Sequence, residues 1–382
     1  VIRFCIALVC VLLSSCALAR QEPRASTAPT TRIAIHTPAT SQPKEGWPTV
    51  AYLRGFPFER VGRDADDVII ARLVEQGVAV VEMDYAAVGV PRGGVPKELL
   101  AIRAGLADVK HRSIATELKV DANRVYLLPA GYTLRRDVEF ARDGDRVVAF
   151  DIAYPSSPAA PVPTLVEFTC DNVNRMGGYS LLFCRDTLLD GGAMRGFAVA
   201  MADHPVRPPY KGIDDPMPDS LDRAAAAIDV VRKLSGELPI TRKVAAIGFS
   251  RGGPFAAMLA GRGDVDAALV HGNRYDYSRL AATDPMRARF EKAWGPFEQN
   301  RDRWLAHGAI AHLTEKCAPI YLNTSDAESA EYRAGLIQLR DALAERKVEH
   351  VYAEDADGRG HRVSLDESRL DDIYAFFTRL LR

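Results

Sequence analysis

Ten residues limit most what this chain can fold into: Val244-Ala245-Ala246-Ile247-Gly248-Phe249-Ser250-Arg251-Gly252-Gly253. An apolar run with strand character ends in a serine bracketed by glycines, G-x-S-x-G. A helical stretch follows at once. A strand that turns directly into a helix needs strained backbone angles at the turn. Small residues two positions to either side let strand and helix approach each other. Pro254 fits the first helical turn, where a missing N–H costs nothing. The helix start also favours negative charge developing near Ser250. The segment reads as a strand, a sharp turn and a helix that together push a serine hydroxyl out at the end of a sheet. A glycine-rich turn with an incidental serine is the plainer alternative.

The rest of the chain suits that architecture. Of 382 residues, 47% are hydrophobic, enough for one large or two medium cores. From residue 46 on, short β-branched runs alternate with helical stretches. Strands are expected at 49–53, 78–83, 124–128, 147–154, 164–168, 197–202, 244–247, 267–271, 319–322 and 348–353, and helices at 66–76, 221–234, 253–260, 331–346 and 370–381. The fold class is α/β, a mostly parallel sheet with helices on both faces. Residues 274–312, with Trp294 and Trp304, are long enough to form a small helical lid between strands. Aromatics there are expected to pack the lid rather than a ligand.

The chain also echoes itself. Gly77-Val-Ala-Val-Val-Glu-Met-Asp84 resembles Gly196-Phe-Ala-Val-Ala-Met-Ala-Asp203. Asp84 lies 47 residues before Gly131 (131 − 84), and Asp203 lies 47 before Ser250 (250 − 203). Residues 46–135 therefore read as an extra N-terminal α/β unit, a degenerate repeat of 160–255 with Gly131 at the serine position. Residues 136–382 are the main domain. Any two βαβαβ units share some of this look.

The first residues differ in character. Arg3 precedes an apolar run from Phe4 to Leu13, right for a signal-peptide core and too short to span a bilayer. Leu13-Ser14-Ser15-Cys16 resembles a lipobox, which would leave Cys16 lipidated. Ala17-Leu18-Ala19 fits ordinary secretion, so residues 1–19 are the expected leader. Residues 20–45, rich in Thr, Ala, Pro and Ser, read as a flexible tether. The expected location is outside the cytoplasm, in the periplasm or cell envelope, or secreted. Of six cysteines, Cys170, Cys184 and Cys317 lie in the body. In an oxidising compartment Cys170 and Cys184 can bridge, and buried free thiols are the alternative. No cysteine or histidine spacing points to a metal. A net charge of −1 gives no footprint for nucleic acid. The only membrane link expected is an anchor at Cys16.

A serine hydroxyl needs a base to act as a nucleophile. In this architecture the acid and then the histidine follow the serine in the chain. His361 stands in Asp357-Gly358-Arg359-Gly360-His361, a glycine-rich loop after the last expected strand. His350 should begin that strand, at its wrong end. His307 and His312 fall in the helical stretch and read as structural. His271 ends a strand and is expected to line the site. The acid should leave the strand at 319–322. Asp326 is the choice, with Glu328 as runner-up, although an Asp in such a loop often caps the next helix. The acid fixes the histidine tautomer and stabilises the imidazolium. The oxyanion hole is expected from the backbone N–H of Arg251 and of Cys170, in the loop after the neighbouring strand. Arg175, Arg251, Tyr210 and Lys211 are candidates to contact a polar or anionic substrate. The last two lie in a proline-stiffened connection, Asp203–Gly212, whose plainer role is a rigid crossing of the sheet top.

Gly248-Phe249-Ser250-Arg251-Gly252, Asp326 and Gly360-His361, in that order, resemble the alpha/beta-hydrolase superfamily, in the neighbourhood of dienelactone hydrolases and acetyl-xylan esterases. The resemblance covers residues from about 140 to 382. It implies an eight-stranded, mostly parallel sheet and a two-step acyl-enzyme mechanism with no cofactor. The expectation is an exported serine hydrolase acting on carboxylic esters, small or on a polysaccharide. A prolyl-oligopeptidase-type peptidase and a binding protein with a relict triad are the alternatives.

Overall fold

A computed structural model describes residues 33–44, 46–54, 63–84, 120–168, 192, 193, 195–203, 217–356, 360, 361 and 367–382. The expected leader, Cys170, Arg175, Cys184, Tyr210 and Lys211 lie outside them.

Eight strands form one sheet in the order β12-β11-β10-β9-β7-β8-β6-β5. They are β5 (Tyr132–Asp143), β6 (Arg146–Pro155), β7 (Val162–Phe168), β8 (Ala198–Ala202), β9 (Ile240–Gly248), β10 (Ala267–His271), β11 (Ile320–Ser325) and β12 (His350–Asp355). β7 to β12 pair in parallel, and β6 runs antiparallel to β5 and β8. β9 shows why the centre is parallel and covered on both sides. Val244 and Ala246 enter the core on one face, while Ala245 and Ile247 enter the core on the other. Such a strand reads as an unbroken apolar run. Helices α2 (Met217–Leu234), α3 (Gly252–Arg262) and α6 (Ala330–Glu345) bury residues such as Ile228, Phe255 and Leu339 in the first core. Helix α7 (Glu367–Leu381) covers the second core with Leu370, Ile373 and Phe377.

A second sheet of four strands, order β1-β3-β2-β4, comprises β1 (Ile33–His36), β2 (Trp47–Arg54), β3 (Ala79–Asp84) and β4 (Val120–Pro129). Helix α1 (Arg63–Glu75) packs Ile69, Ile70 and Leu73 into a core shared with Tyr132, Leu134 and Val199 of the large sheet. Across the junction, the Tyr126 hydroxyl donates to Asp151 Oδ2 at 2.6 Å.

The small sheet repeats β6-β8-β7-β9 pair for pair. Adding 117 to residue numbers in β1, 115 in β2 and 119 in β3 and β4 turns Ile33↔Met83 into Phe150↔Ala202, Tyr52↔Glu82 into Glu167↔Met201, and Tyr52↔Leu128 into Glu167↔Ile247. Strand directions agree in all three pairings. The register slips between Trp47 and Thr49 in one sheet and between Val162 and Thr164 in the other, the same place after the offset. The helix exits agree as well. Gly77 (φ 78°) and Gly196 (φ 79°) donate to Val74 and Ala193 carbonyls, and Val78 and Phe197 donate to those of Leu73 and Gly192. Gly131 has φ 77° where Ser250 has φ 49°.

Two strands differ from expectation. Ile33–His36, placed in the tether, pairs with β3. Tyr132–Asp143 is an unanticipated strand of the large sheet, so that sheet begins at Tyr132, four residues before the expected boundary.

Between β10 and β11 the chain forms helices α4 (Arg287–Trp294) and α5 (Arg301–His307) with short 3-10 turns. Tyr277, Phe290, Trp294 and Trp304 bury their rings against one another. These aromatics hold the insertion together.

Candidate active site

Ser250 lies at the carboxyl end of β9, in the left-handed region with φ 49°. An L-residue there pays for its Cβ, and such strain marks functional turns. The flanking glycines are required by space. A Cβ on Gly248 would stand 2.2 Å from Gly252 O, and one on Gly253 would stand 2.5 Å from Tyr275 Oη. The turn is held from two directions, since Gly253 N–H (2.9 Å) and Asn273 Nδ2 (2.5 Å) both donate to the Ser250 carbonyl. Arg251 follows at the mouth of α3, with φ −61° and ψ −22°.

The loop after β12 brings His361 to the serine, with Nε2 3.0 Å from Ser250 Oγ. On the other side, His361 Nδ1 lies 2.6 Å from Glu328 Oε2. The carboxylate at this position is thus Glu328, and the choice of Asp326 is corrected. Asp326 continues the ladder, its N–H donating to Asp355 O at 2.9 Å, and its side chain is exposed. The chain then turns, Glu328 N–H donating to Ser325 O, and folds the Glu328 carboxylate back to 1% exposure. Its other oxygen accepts the Ser329 N–H at 2.8 Å. Burial pushes the Glu328 carboxyl up. The hydrogen bond and charge of His361, the Ser329 N–H and the charge of His271 outweigh this and hold it below its ordinary value. It stays ionised facing the imidazole.

His271 was expected to meet substrate. It is 2% exposed, with its ring 5.8 Å from that of Phe249 and 5.9 Å from that of His361. It stands behind the site, Nε2 at 3.7 Å from Glu328 Oε2. Burial beneath the end of the sheet removes it from any substrate face.

Three more residues complete the surroundings. The Tyr332 ring lies 4.8 Å from that of His361, and the Arg274 guanidinium lies 5.0 Å from the Tyr332 ring. Arg274, 6% exposed, is fixed by two hydrogen bonds to Asp284 at 2.7 and 2.9 Å. Asn273, Arg274 and Tyr332 were not read from the sequence, where nothing but nearness to the end of β10 or to the Glu328 loop distinguishes them.

Ligand atoms of His271, Glu328 and His361 fall within 4.8 Å of one another, a spacing seen around metals. The 2.6 Å contact of His361 with Glu328 is the length of a hydrogen bond. A metal bonded at about 2 Å to each would hold two donors roughly 3 Å or more apart. The set is arranged for proton transfer: a carboxylate, an imidazole and a hydroxyl in line, with the hydroxyl at a helix start.

No family profile and no curated protein matches the sequence. Solved structures do match. A truncated carbohydrate esterase from gut microbiota aligns over 65% of this chain and 96% of its own, at TM-score 0.53 and 18% identity. The acetyl ester-xyloside bifunctional hydrolase of Caldicellulosiruptor lactoaceticus aligns over 66% and 97%, at TM-score 0.51 and 15% identity. A bacterial heroin esterase aligns over 75% and 92%, at TM-score 0.51 and 19% identity. At such identities the likeness is one of fold.

Proposed function

We propose that this chain, which has the alpha/beta-hydrolase fold, is a serine hydrolase of carboxylic esters. The observation that carries the reading is the line from Ser250 Oγ through His361 to Glu328, with contacts of 3.0 and 2.6 Å. Ser250 Oγ attacks the ester carbonyl as His361 Nε2 takes its proton. The imidazolium forms against the ionised Glu328, which keeps the other proton on Nδ1. The proton passes to the leaving alcohol, and water then cleaves the acyl-enzyme by the same steps. The oxyanion is held by the Arg251 N–H at the start of α3 and by an N–H after β7, with Cys170 the candidate. The chemistry needs neither metal nor organic cofactor.

Esters of carbohydrates are the favoured substrates, in keeping with the printed names of two structural neighbours. Arg175, Tyr210 and Lys211 are the candidate contacts. The leader at 1–19 would deliver the protein outside the cytoplasm, where such polymers occur, anchored if Cys16 is lipidated. The four-stranded unit supplies no member of the triad and is a catalytically empty repeat.

The test is hydrolysis of p-nitrophenyl acetate by the chain without its leader, beside Ser250→Ala and His361→Ala. A fall of about three orders of magnitude or more in both variants is expected. A wild-type rate equal to the variants, with no labelling by a fluorophosphonate, would favour the binding-protein alternative.

A further inference from the structure

The five residues that leave β10, His271 to Tyr275, reach every member of the proposed triad. His271 approaches Glu328 Oε2 at 3.7 Å. A Cβ on Gly272 would stand 2.6 Å from that oxygen, so the carboxylate rests on bare backbone. Asn273 holds the Ser250 carbonyl, and Arg274 backs Tyr332, whose ring lies against His361. Tyr275 donates its hydroxyl to His271 O at 2.6 Å and fixes the start of the segment.

Within this segment one side chain has more chemistry than packing requires. His271 is an imidazole, 2% exposed, at a place where Phe249 offers an aromatic neighbour and a leucine or phenylalanine would fill the volume. Its Nε2 instead faces the oxygen that His361 also uses. We propose that His271 is a positioning residue of the triad, a second imidazole that shares Glu328 Oε2 with His361. The proposal rests on the reading of Ser250, His361 and Glu328 as a triad.

The chemistry follows from the shared oxygen. A nitrogen 3.7 Å from a carboxylate is favoured there as N–H. That distance is longer than a hydrogen bond in the resting site. Such contacts tighten when charge develops in the reaction. The N–H of His271 draws part of the Glu328 charge away from His361 and fixes where the carboxylate points. No proton moves to His271. Ser250 still gives its proton to His361 Nε2, and the Nδ1 proton stays between His361 and Glu328. Other titratable or charged groups around this cluster are Asp326 beside Glu328, Tyr275 below His271, Tyr332 on α6, and Arg274 with its partner Asp284. All remain in place in the variants below.

The experiment compares pH profiles of p-nitrophenyl acetate hydrolysis for wild type, His271→Phe and His271→Gln, with thermal melts of each. Phenylalanine keeps the volume and removes the N–H, whereas glutamine restores a donor of similar reach. In His271→Phe the undivided Glu328 charge holds the protonated form of His361 more strongly. The acidic limb of kcat/KM should move up by about half a pH unit, and kcat should fall by roughly 10-fold with KM little changed. His271→Gln should recover the wild-type limb and most of kcat. If His271→Phe does not fold, His271→Asn takes its place, because its amide is too short to reach Glu328. Equal losses in the Phe (or Asn) and Gln variants with a wild-type limb would make His271 a packing residue and overturn the proposal. Wild-type behaviour of both would do the same. Failure of the triad reading looks different: wild type itself would show no Ser250-dependent turnover or fluorophosphonate labelling.

Discussion

Glu328→Gln offers the sharpest test of the site, because the residue two positions earlier is the one its chain position favours. Glutamine keeps the shape of a side chain that is 1% exposed and leaves room over Gly272 unchanged. What changes is charge. An imidazolium and a carboxylate with centres about 4 Å apart attract by roughly 4 kcal/mol at an effective dielectric near 20. An amide oxygen in the same place retains a fraction of this, so about 3 kcal/mol of transition-state stabilisation should go, some 10²-fold in kcat. If the amide turns its NH₂ toward His361 Nδ1, the wrong tautomer is imposed and the loss grows toward ~10⁴-fold. Substrate does not touch Glu328, so KM should barely move.

The control is Asp326→Asn, on an exposed carboxylate whose backbone rather than side chain is built into the ladder. Its kcat should stay within about threefold of wild type. Both variants are assayed with p-nitrophenyl acetate at a pH on the plateau, with thermal melts to establish folding. A folded Glu328→Gln with kcat within tenfold of wild type would refute the electrostatic argument. An Asp326→Asn loss as large as that of Glu328→Gln would restore Asp326 as the acid.

Three other perturbations test neighbouring parts. Ser250→Gly and Ser250→Ala should both be inactive, but glycine escapes the left-handed strain at φ 49° and should melt about 2 °C above alanine; an alanine variant at least as stable would mean the turn is unstrained. Asn273→Ala removes the 2.5 Å donor to the Ser250 carbonyl and should cost about 1 kcal/mol in urea unfolding and roughly 10-fold in kcat, and unchanged values of both would show that the α3 turn holds the serine unaided. His307 is 2% exposed, its ring 4.0 Å from that of Trp294, and burial lowers its pKa from 6.5 to about 4. The unfolded chain therefore binds the extra proton between those values. Stability from this group is complete above pH 6.5 and lost as the pH falls toward 4, by about 3 kcal/mol. His307→Phe should flatten that part of the urea-unfolding profile, and an unaltered slope would contradict the burial argument.

How far the sequence carries the structure depends on how each element is solvated. β7, residues 244–248 of β9, β10 and residues 320–322 of β11 are buried on both faces and stand out as mainly apolar runs. β5 hides for the opposite reason. It is the edge of the large sheet, carries Arg135, Arg136, Asp137, Glu139 and Arg142, and slips register between Arg135 and Val138. That bulge breaks the period-2 alternation by which a half-buried strand is recognised. β1 has four residues and shows itself only through its partner β3. Ser250 and His361 were legible because turn chemistry and chain order place them. The carboxylate that meets His361 was not, because Asp326 and Glu328 share one loop and the choice is made by a turn at Ser325 that has no strong local signal. Gly272, directly after His271, was the available clue: a strand end without a side chain leaves room for a carboxylate from the next loop.

The two sheets together show what a serine at a sharp turn needs around it. Residues 33–131 reproduce the pairings, the bulge and the helix exit of residues 150–250, down to a left-handed residue at the same place in the register. Making Gly131 a serine would still not make a site. In the large sheet, among the described residues, the partners of Ser250, His361 and Glu328 come from strands beyond the repeated four: β10 leads to His271 and Asn273, β11 to Glu328, and β12 to His361. The small sheet ends at β4, and its chain continues directly into β5. The turn at Gly131 has been put to structural use instead, its N–H donating to the Tyr52 hydroxyl, which in turn donates to Asp66. Among the described residues no histidine meets that turn, and glycine carries the same φ there without a Cβ penalty. On the proposed function, Ser250 keeps the strain where three further strands bring His361, Glu328 and Asn273 to it.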